Sequence, residues 1–199
     1  MVKNRDDFKD YQVLGANLQN IMGGFGSFTL IASKFLLEEG IGTADEMMMV
    51  QFKPDGWYPL DRFLRVFDRI HAEFGNFTLR QVGVHVPKNA VFPPQVTDLL
   101  SAFKTMDMGY YMNHGYKGQP LFNPDTGEMK EGIGHYKPTV GAVANRITVE
   151  STTSYPCPFE EGMVTALAQR FKPTAIVTHD KSNCRSRNGS SCVYSVSWK

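Results

Sequence analysis

Three cysteines stand in the last quarter of the chain, Cys157, Cys184 and Cys192, and thiolate sulfur is the ligand that structural zinc favours. Cys184 and Cys192 bracket the turn Arg185-Ser186-Arg187-Asn188-Gly189-Ser190-Ser191, and Cys157 stands just ahead of a predicted helix. A turn that joins two thiolates, with a third at a helix start, suits a tetrahedral zinc clamp. No tight Cys-x-x-Cys pair exists, so two other readings stay open. One is three half-buried thiols. The other is a redox set in which Cys157, activated at a helix N-terminus, pairs with Cys184 or Cys192. An odd cysteine count argues against a disulfide framework.

Signatures of catalysis are missing. The chain has no Gly-x-Ser-x-Gly, no His-Glu-x-x-His and no phosphate loop. Gly23-Gly24-Phe25-Gly26 follows no convincing strand, so dinucleotide binding is not expected either. Binding rather than turnover is the expectation.

The elements that must position the cysteines can be read from apolar spacing. Residues 11–39 read as helical, broken at Gly23, Gly24 and Gly26, since glycine costs about 1 kcal/mol per helical position. Leu60, Phe63, Leu64, Phe67, Ile70, His71 and Phe74 repeat at helical spacing, with Pro59 at the start and Gly75-Asn76 as a stop. After Pro87, Pro93 and Pro94 comes a helix carrying Val96, Leu99, Leu100, Phe103 and Met106. From about residue 119 the pattern turns to strands. Leu121-Phe122 and the run Met129–Tyr136 flank Asn123-Pro124-Asp125-Thr126-Gly127, a hairpin turn. Residues 145–153 alternate, a helix runs from Pro158, and strands follow at 174–179 and 192–198. The expectation is one α+β domain over 1–199, with N-terminal helices packed on a largely antiparallel sheet and a C-terminal helix inserted between strands. Residues 1–26 are expected as an N-terminal arm or helix.

Composition is that of an ordinary globular domain, 42% hydrophobic and 21% charged, with formal net charge +1. No basic run points to nucleic acid. No stretch approaches the roughly 18 apolar residues of a membrane span. The opening residues lack a secretion signal's apolar segment, so a reducing cytoplasm is expected.

The C-terminal third resembles a known family. Tyr155-Pro156-Cys157, then a helix, then His179-Asp180, Cys184-Arg185-Ser186-Arg187 and Ser191-Cys192-Val193-Tyr194-Ser195-Val196-Ser197-Trp198 are similar to 4-vinyl reductase domains. That family is related in fold to TRAPP-type and haem-NO-binding-like sensor domains. The similarity covers roughly residues 145–199. It implies a zinc site in which Cys157, Cys184 and Cys192 are the sulfur ligands, beside a pocket for a small apolar ligand. The family's carboxylate position holds Lys181 here, so the fourth ligand falls to Asp180 or His179, or the site is metal-free.

What the resemblance implies is a small-molecule sensor, with a hydrophobic or aromatic ligand held between helices and sheet, and a homodimer that passes the signal on. Candidate lining residues are Trp57, Phe63, Phe67, His71, Tyr110, Tyr111, His114 and His135. For His71, His114 and His135 a hydrogen-bonded structural role is the competing reading. Two alternatives stay open. One is a haem-binding gas or redox sensor with one of those histidines axial. The other is an accessory protein or reductase of vinyl-tetrapyrrole metabolism. Arg185 and Arg187 could also reach an anionic partner.

Overall fold

Leu60, Phe63, Leu64, Val66, Phe67 and Ile70 are all buried, so one long helix face must be covered, and most of the architecture is what covers it. The computed structural model describes residues 4–199. A 3-10 turn at Arg5–Phe8 leads into β1 (Tyr11–Leu14), α1 (Gly15–Gly23) and α2 (Thr29–Glu38). The short strands β2 (Thr43–Ala44), β3 (Val50–Gln51) and β4 (Trp57–Pro59) precede the central helix α3 (Leu60–Lys88). Next come α4 (Leu99–Met112), β5 (His114–Tyr116) and β6 (Gln119–Pro120). The chain ends with β7 (Tyr136–Val140), β8 (Arg146–Ser151), α5 (Cys157–Phe171), β9 (Ile176–Asp180) and β10 (Cys192–Ser197).

The class is α+β with antiparallel pairing throughout, as expected. The main sheet runs β7-β8-β10-β9, a smaller one runs β4-β1-β5-β6, and β2 pairs with β3. The helix inserted between β8 and β9 is α5, and it crosses α3 at very short range. A Cβ on Gly83 would lie 1.9 Å from the Phe159 carbonyl oxygen, and one on Gly162 would lie 2.1 Å from that of Arg80. Only glycine permits that backbone approach.

Three expectations change. Tyr11–Leu14 is a strand, because Val13 pairs with both Tyr58 and His114; tertiary pairing overrides the helical reading there. Gly75 is a kink (φ 75°, ψ −176°) and not a stop. The helix resumes because Leu79 and Val82 have a core to enter. The run Met129–Tyr136 is not a strand. A single bridge joins Phe122 to Met129, and Gly132 and Gly134, at φ 141° and 82°, delay regular pairing until Tyr136. The turn between them forms, with the Gly127 N–H donating to the Asn123 carbonyl at 2.8 Å.

Residues 5–23 comprise the 3-10 turn, β1 and α1. Arg5 pairs with Asp68 of α3, and Phe8 is buried. A missed start signal opens α4, where the Asp98 carboxylate accepts the Ser101 N–H at 2.7 Å.

Candidate metal centre

The register of the main sheet assembles the site. Cys192 opens β10 opposite Ser151, and Tyr194, two residues on, stands opposite His179 of β9. Strand alternation puts Cys192 and Tyr194 on the same, inward face, where both are fully buried. Cys157 is the first residue of α5 and faces them, with Pro156 extended before it and Pro158 in the first turn. Cys184 precedes a 3-10 turn (Arg185–Arg187) that folds back on itself. The N–H groups of Arg187 and Gly189 both donate to the Cys184 carbonyl, at 2.8 and 2.9 Å.

Three sulfurs converge. Cys157 and Cys184 lie 3.5 Å apart, Cys184 and Cys192 3.8 Å, and Cys157 and Cys192 2.9 Å. Ligand atoms of Cys157, Cys184, Cys192 and His179 all lie within 4.8 Å of one another. Sulfurs on a zinc ion at about 2.3 Å stand about 3.8 Å apart in a tetrahedron. Two of the three separations are already near that value, and the third needs an opening of less than about 1 Å.

His179 completes the set. Its Nε2 is buried and has no hydrogen-bond partner among the described residues. Its Nδ1 stands 3.9 Å from the Glu161 carboxylate, which pairs in turn with Arg80. A carboxylate behind a histidine's second nitrogen is the usual support for a metal ligand. Asp180 takes no part: alternation turns it outward, and its Oδ1 accepts the Ser182 N–H at 2.9 Å and the Ser182 hydroxyl at 2.7 Å. Without an ion, the Cys157 thiol donates toward Cys192. That hydrogen bond, with help from Arg185, holds the Cys192 thiol well below the ordinary thiol range and pushes Cys157 up.

Beneath the sulfurs lies a buried polar network. Glu160 is fully buried, one turn after Cys157. It pairs with Arg185 and accepts from Ser151 at 2.6 Å and from Thr153. The Tyr194 hydroxyl stands 3.1 Å from both Glu160 and the Cys157 carbonyl. Arg185 also donates to the carbonyls of Thr153 and Tyr155. Burial raises the Glu160 pKa, and Arg185 opposes the rise. Glu160 went unnoticed in the sequence, although a charge between Phe159 and Met163 on an inward face was a readable signal.

The proposed pocket residues do not share one cavity. Two cavities stand out, of about 890 and 310 Å³, and of the eight candidates only His71 lines either. Phe63, Phe67, Tyr110, Tyr111 and His114 are buried, and Trp57 is half-buried against Gly115. His71 is exposed, correcting its assignment to the apolar face; it sits one position past Ile70, the last buried residue before the Gly75 kink. His114 offers Nδ1 to the Tyr110 carbonyl (2.6 Å) and Nε2 to the Tyr155 hydroxyl (2.9 Å). Burial lowers its pKa to about 4. His135 stacks on Tyr111 and lies 3.0 Å from Asp107 and from Glu131. Burial opposes its charge, but the two carboxylates outweigh that and raise its pKa.

No known family's profile matches the sequence, and no curated protein does. Solved structures do match. An H-NOX protein from S. oneidensis, a triple mutant in the Fe(II) ligation state, superposes with TM-score 0.63 at 11% identity, covering 94% of this chain and 96% of that one. The S. oneidensis protein in the Fe(II)NO state gives 0.62 at 10% identity, over 94% and 99%. A structure from work on haem distortion in the H-NOX family gives 0.59 at 15% identity, over 93% and 92%. The chain has the H-NOX fold. The similarity found is thus to the haem-NO-binding branch of the expected kinship, and it is not shown for 4-vinyl reductase or TRAPP-type domains.

The interior between α3, α4 and the main sheet does not fit a haem as it stands. Phe63 and Phe67 pack 4.8 Å apart, Tyr155 meets both, and Tyr110 meets Tyr155, Tyr136 and His114. Both His114 nitrogens are engaged, and of the rings in this layer only Tyr155 borders a prominent cavity.

Proposed function

We propose that this chain is a sensor-type regulatory domain of the H-NOX fold whose C-terminal hairpin is tied to the helical layer by a zinc ion. Cys157, Cys184, Cys192 and His179 would hold the ion. The observation that carries this is the convergence of four ligand atoms within 4.8 Å, from three cysteines and a histidine whose Nε2 is buried without a hydrogen-bond partner among the described residues. A zinc ion held by four protein ligands is closed to substrate; its role is to join α5, β9 and β10 at one point. Signalling then passes through association, with a homodimer as the expected assembly.

Elemental analysis of protein purified without added metal tests the assignment. One zinc per chain is expected, and Cys184→Ser should lose it and melt at least several degrees lower, since coordination energy is folding energy. Unchanged zinc content and melting in that variant would sink the proposal.

Haem-based gas sensing is the second reading, favoured by the fold shared with proteins whose structures are described by haem and by Fe(II)NO ligation. It requires the ring cluster around Tyr155 and His114 to open. Haemin titration decides: a saturable Soret band at one equivalent per chain establishes this reading, and an unbound haemin spectrum leaves the zinc-tied domain alone.

A further inference from the structure

We propose that the groove of about 890 Å³ lying over the cysteine centre binds a small organic anion with a planar apolar part. Its size falls in the usual range for small-molecule sites. One wall is the start of the chain and the second half of α3, with Arg5, Phe77 and Arg80; the other is the β9–β10 loop, with Lys181 and Arg187. Cys157, His179 and Cys184 reach its floor.

The charges decide what fits. The carboxylates on the groove are Asp68 and Glu161, and each is matched by an arginine, Arg5 and Arg80 respectively. Arg185 is matched by Glu160 beneath. The side chains of Lys181 and Arg187 have no carboxylate or other hydrogen-bond partner among the described residues. The walls therefore carry two unmatched cations from a single loop, and a surplus of one remains when three thiolates and a zinc ion, together −1, form the floor. Two charges in a recess suit a compact anion, whereas a nucleic acid would require a longer basic track.

Phe77 supplies the second half of the recognition. It is 73% exposed, two residues after the Gly75 kink, and it lines the same groove as the two cations. A large aromatic left in water beside a polar recess offers a stacking face. The proposal goes beyond the zinc assignment and does not require the ion, since Lys181, Arg187 and Phe77 are not metal ligands.

Phenyl phosphate, inorganic phosphate and phenol are the probes, titrated into the full chain and followed by amide NMR shifts, with zinc content measured on every sample. Phenyl phosphate should bind saturably, shifting the amides of Asn76, Phe77 and Arg187, and phenol should bind at least about tenfold more weakly, the scale of one lost charged hydrogen bond. Lys181→Glu combined with Arg187→Glu should weaken phenyl phosphate by about tenfold or more at unchanged zinc content. Arg187→Gln alone, a milder exposed change, should weaken it in the same direction. Phe77→Ser should weaken phenyl phosphate while leaving inorganic phosphate unaffected. No saturation at millimolar concentration, shifts confined to other surfaces, or undiminished affinity in the charge variants would overturn the proposal, whatever the zinc content proves to be.

Discussion

At the scale of single residues, the buried ion pair and the two buried or half-buried histidines carry the sharpest consequences. Arg185→Met leaves Glu160 charged and uncompensated in the interior, which should cost about 3–5 kcal/mol. Adding Glu160→Leu should recover much of that loss in chemical denaturation, because removing both partners also removes the desolvation penalty. His114 and His135 act in opposite directions with pH. His114 is held neutral, its pKa lowered to about 4 by burial. Its contribution is complete above about pH 6.5 and is lost as pH falls toward 4, amounting to about 3 kcal/mol. His135 has a raised pKa, so its contribution is complete below about pH 6.5 and fades as pH rises through the folded value. Denaturation midpoints from pH 4 to 9 should show both slopes. His114→Gln should flatten the acid side only, and His135→Gln the alkaline side only.

At the scale of elements, the contact between α3 and α5 sets the frame on which the cysteine cluster is built. Gly83→Ala would drive a methyl group to 1.9 Å from the Phe159 carbonyl oxygen, and the helices must separate. A loss of about 1–3 kcal/mol is expected, and Cys157, on the same helix as Phe159, should be displaced with it. Gly75→Ala meets open space, so only the backbone at φ 75°, ψ −176° opposes it, at about 1–3 kcal/mol. Thermal melts report both losses, and thiol accessibility to an exposed alkylating reagent should rise in Gly83→Ala alone. The helix spacing of α5 also explains why cysteine cluster and polar network form one unit. Cys157, Glu160 and Glu161 share a face, so the residue at the sulfurs, the one beneath them and the one behind His179 move together.

At the scale of the whole molecule, the proposed ion would join two layers that otherwise meet through side-chain packing. Chelation should therefore raise hydrogen exchange in β9, β10 and the first turn of α5 far more than in α3 or α4. Uniform loss of protection would mean that the centre supports the entire fold. The described residues include no single helix long and apolar enough to cross a membrane. The H-NOX fold here encloses a ring cluster, Phe63, Phe67, Tyr110, Tyr155 and Phe159, and a haem placed between helices and sheet would have to displace it. The choice between a zinc-tied domain and a haem sensor is therefore a question about interior volume.

Periodicity in the sequence was enough for the α+β class and for α4, α5 and β10, and cysteine spacing was enough to expect that Cys157, Cys184 and Cys192 meet. Those signals are local: apolar spacing, a proline-led helix start, and ligand chemistry within one turn. The choice of His179 over Asp180 was not local. Adjacent residues on a strand point to opposite faces, and only the pairing of β9 with β10, which places His179 beside Tyr194, determined which one turned inward. Glu160's partner Arg185, the groove over the sulfurs and the filled interior likewise depend on distances between segments far apart in the chain. Residue types limited what chemistry was possible; the packing of α3 against α5 and the register of the main sheet decided where it could occur.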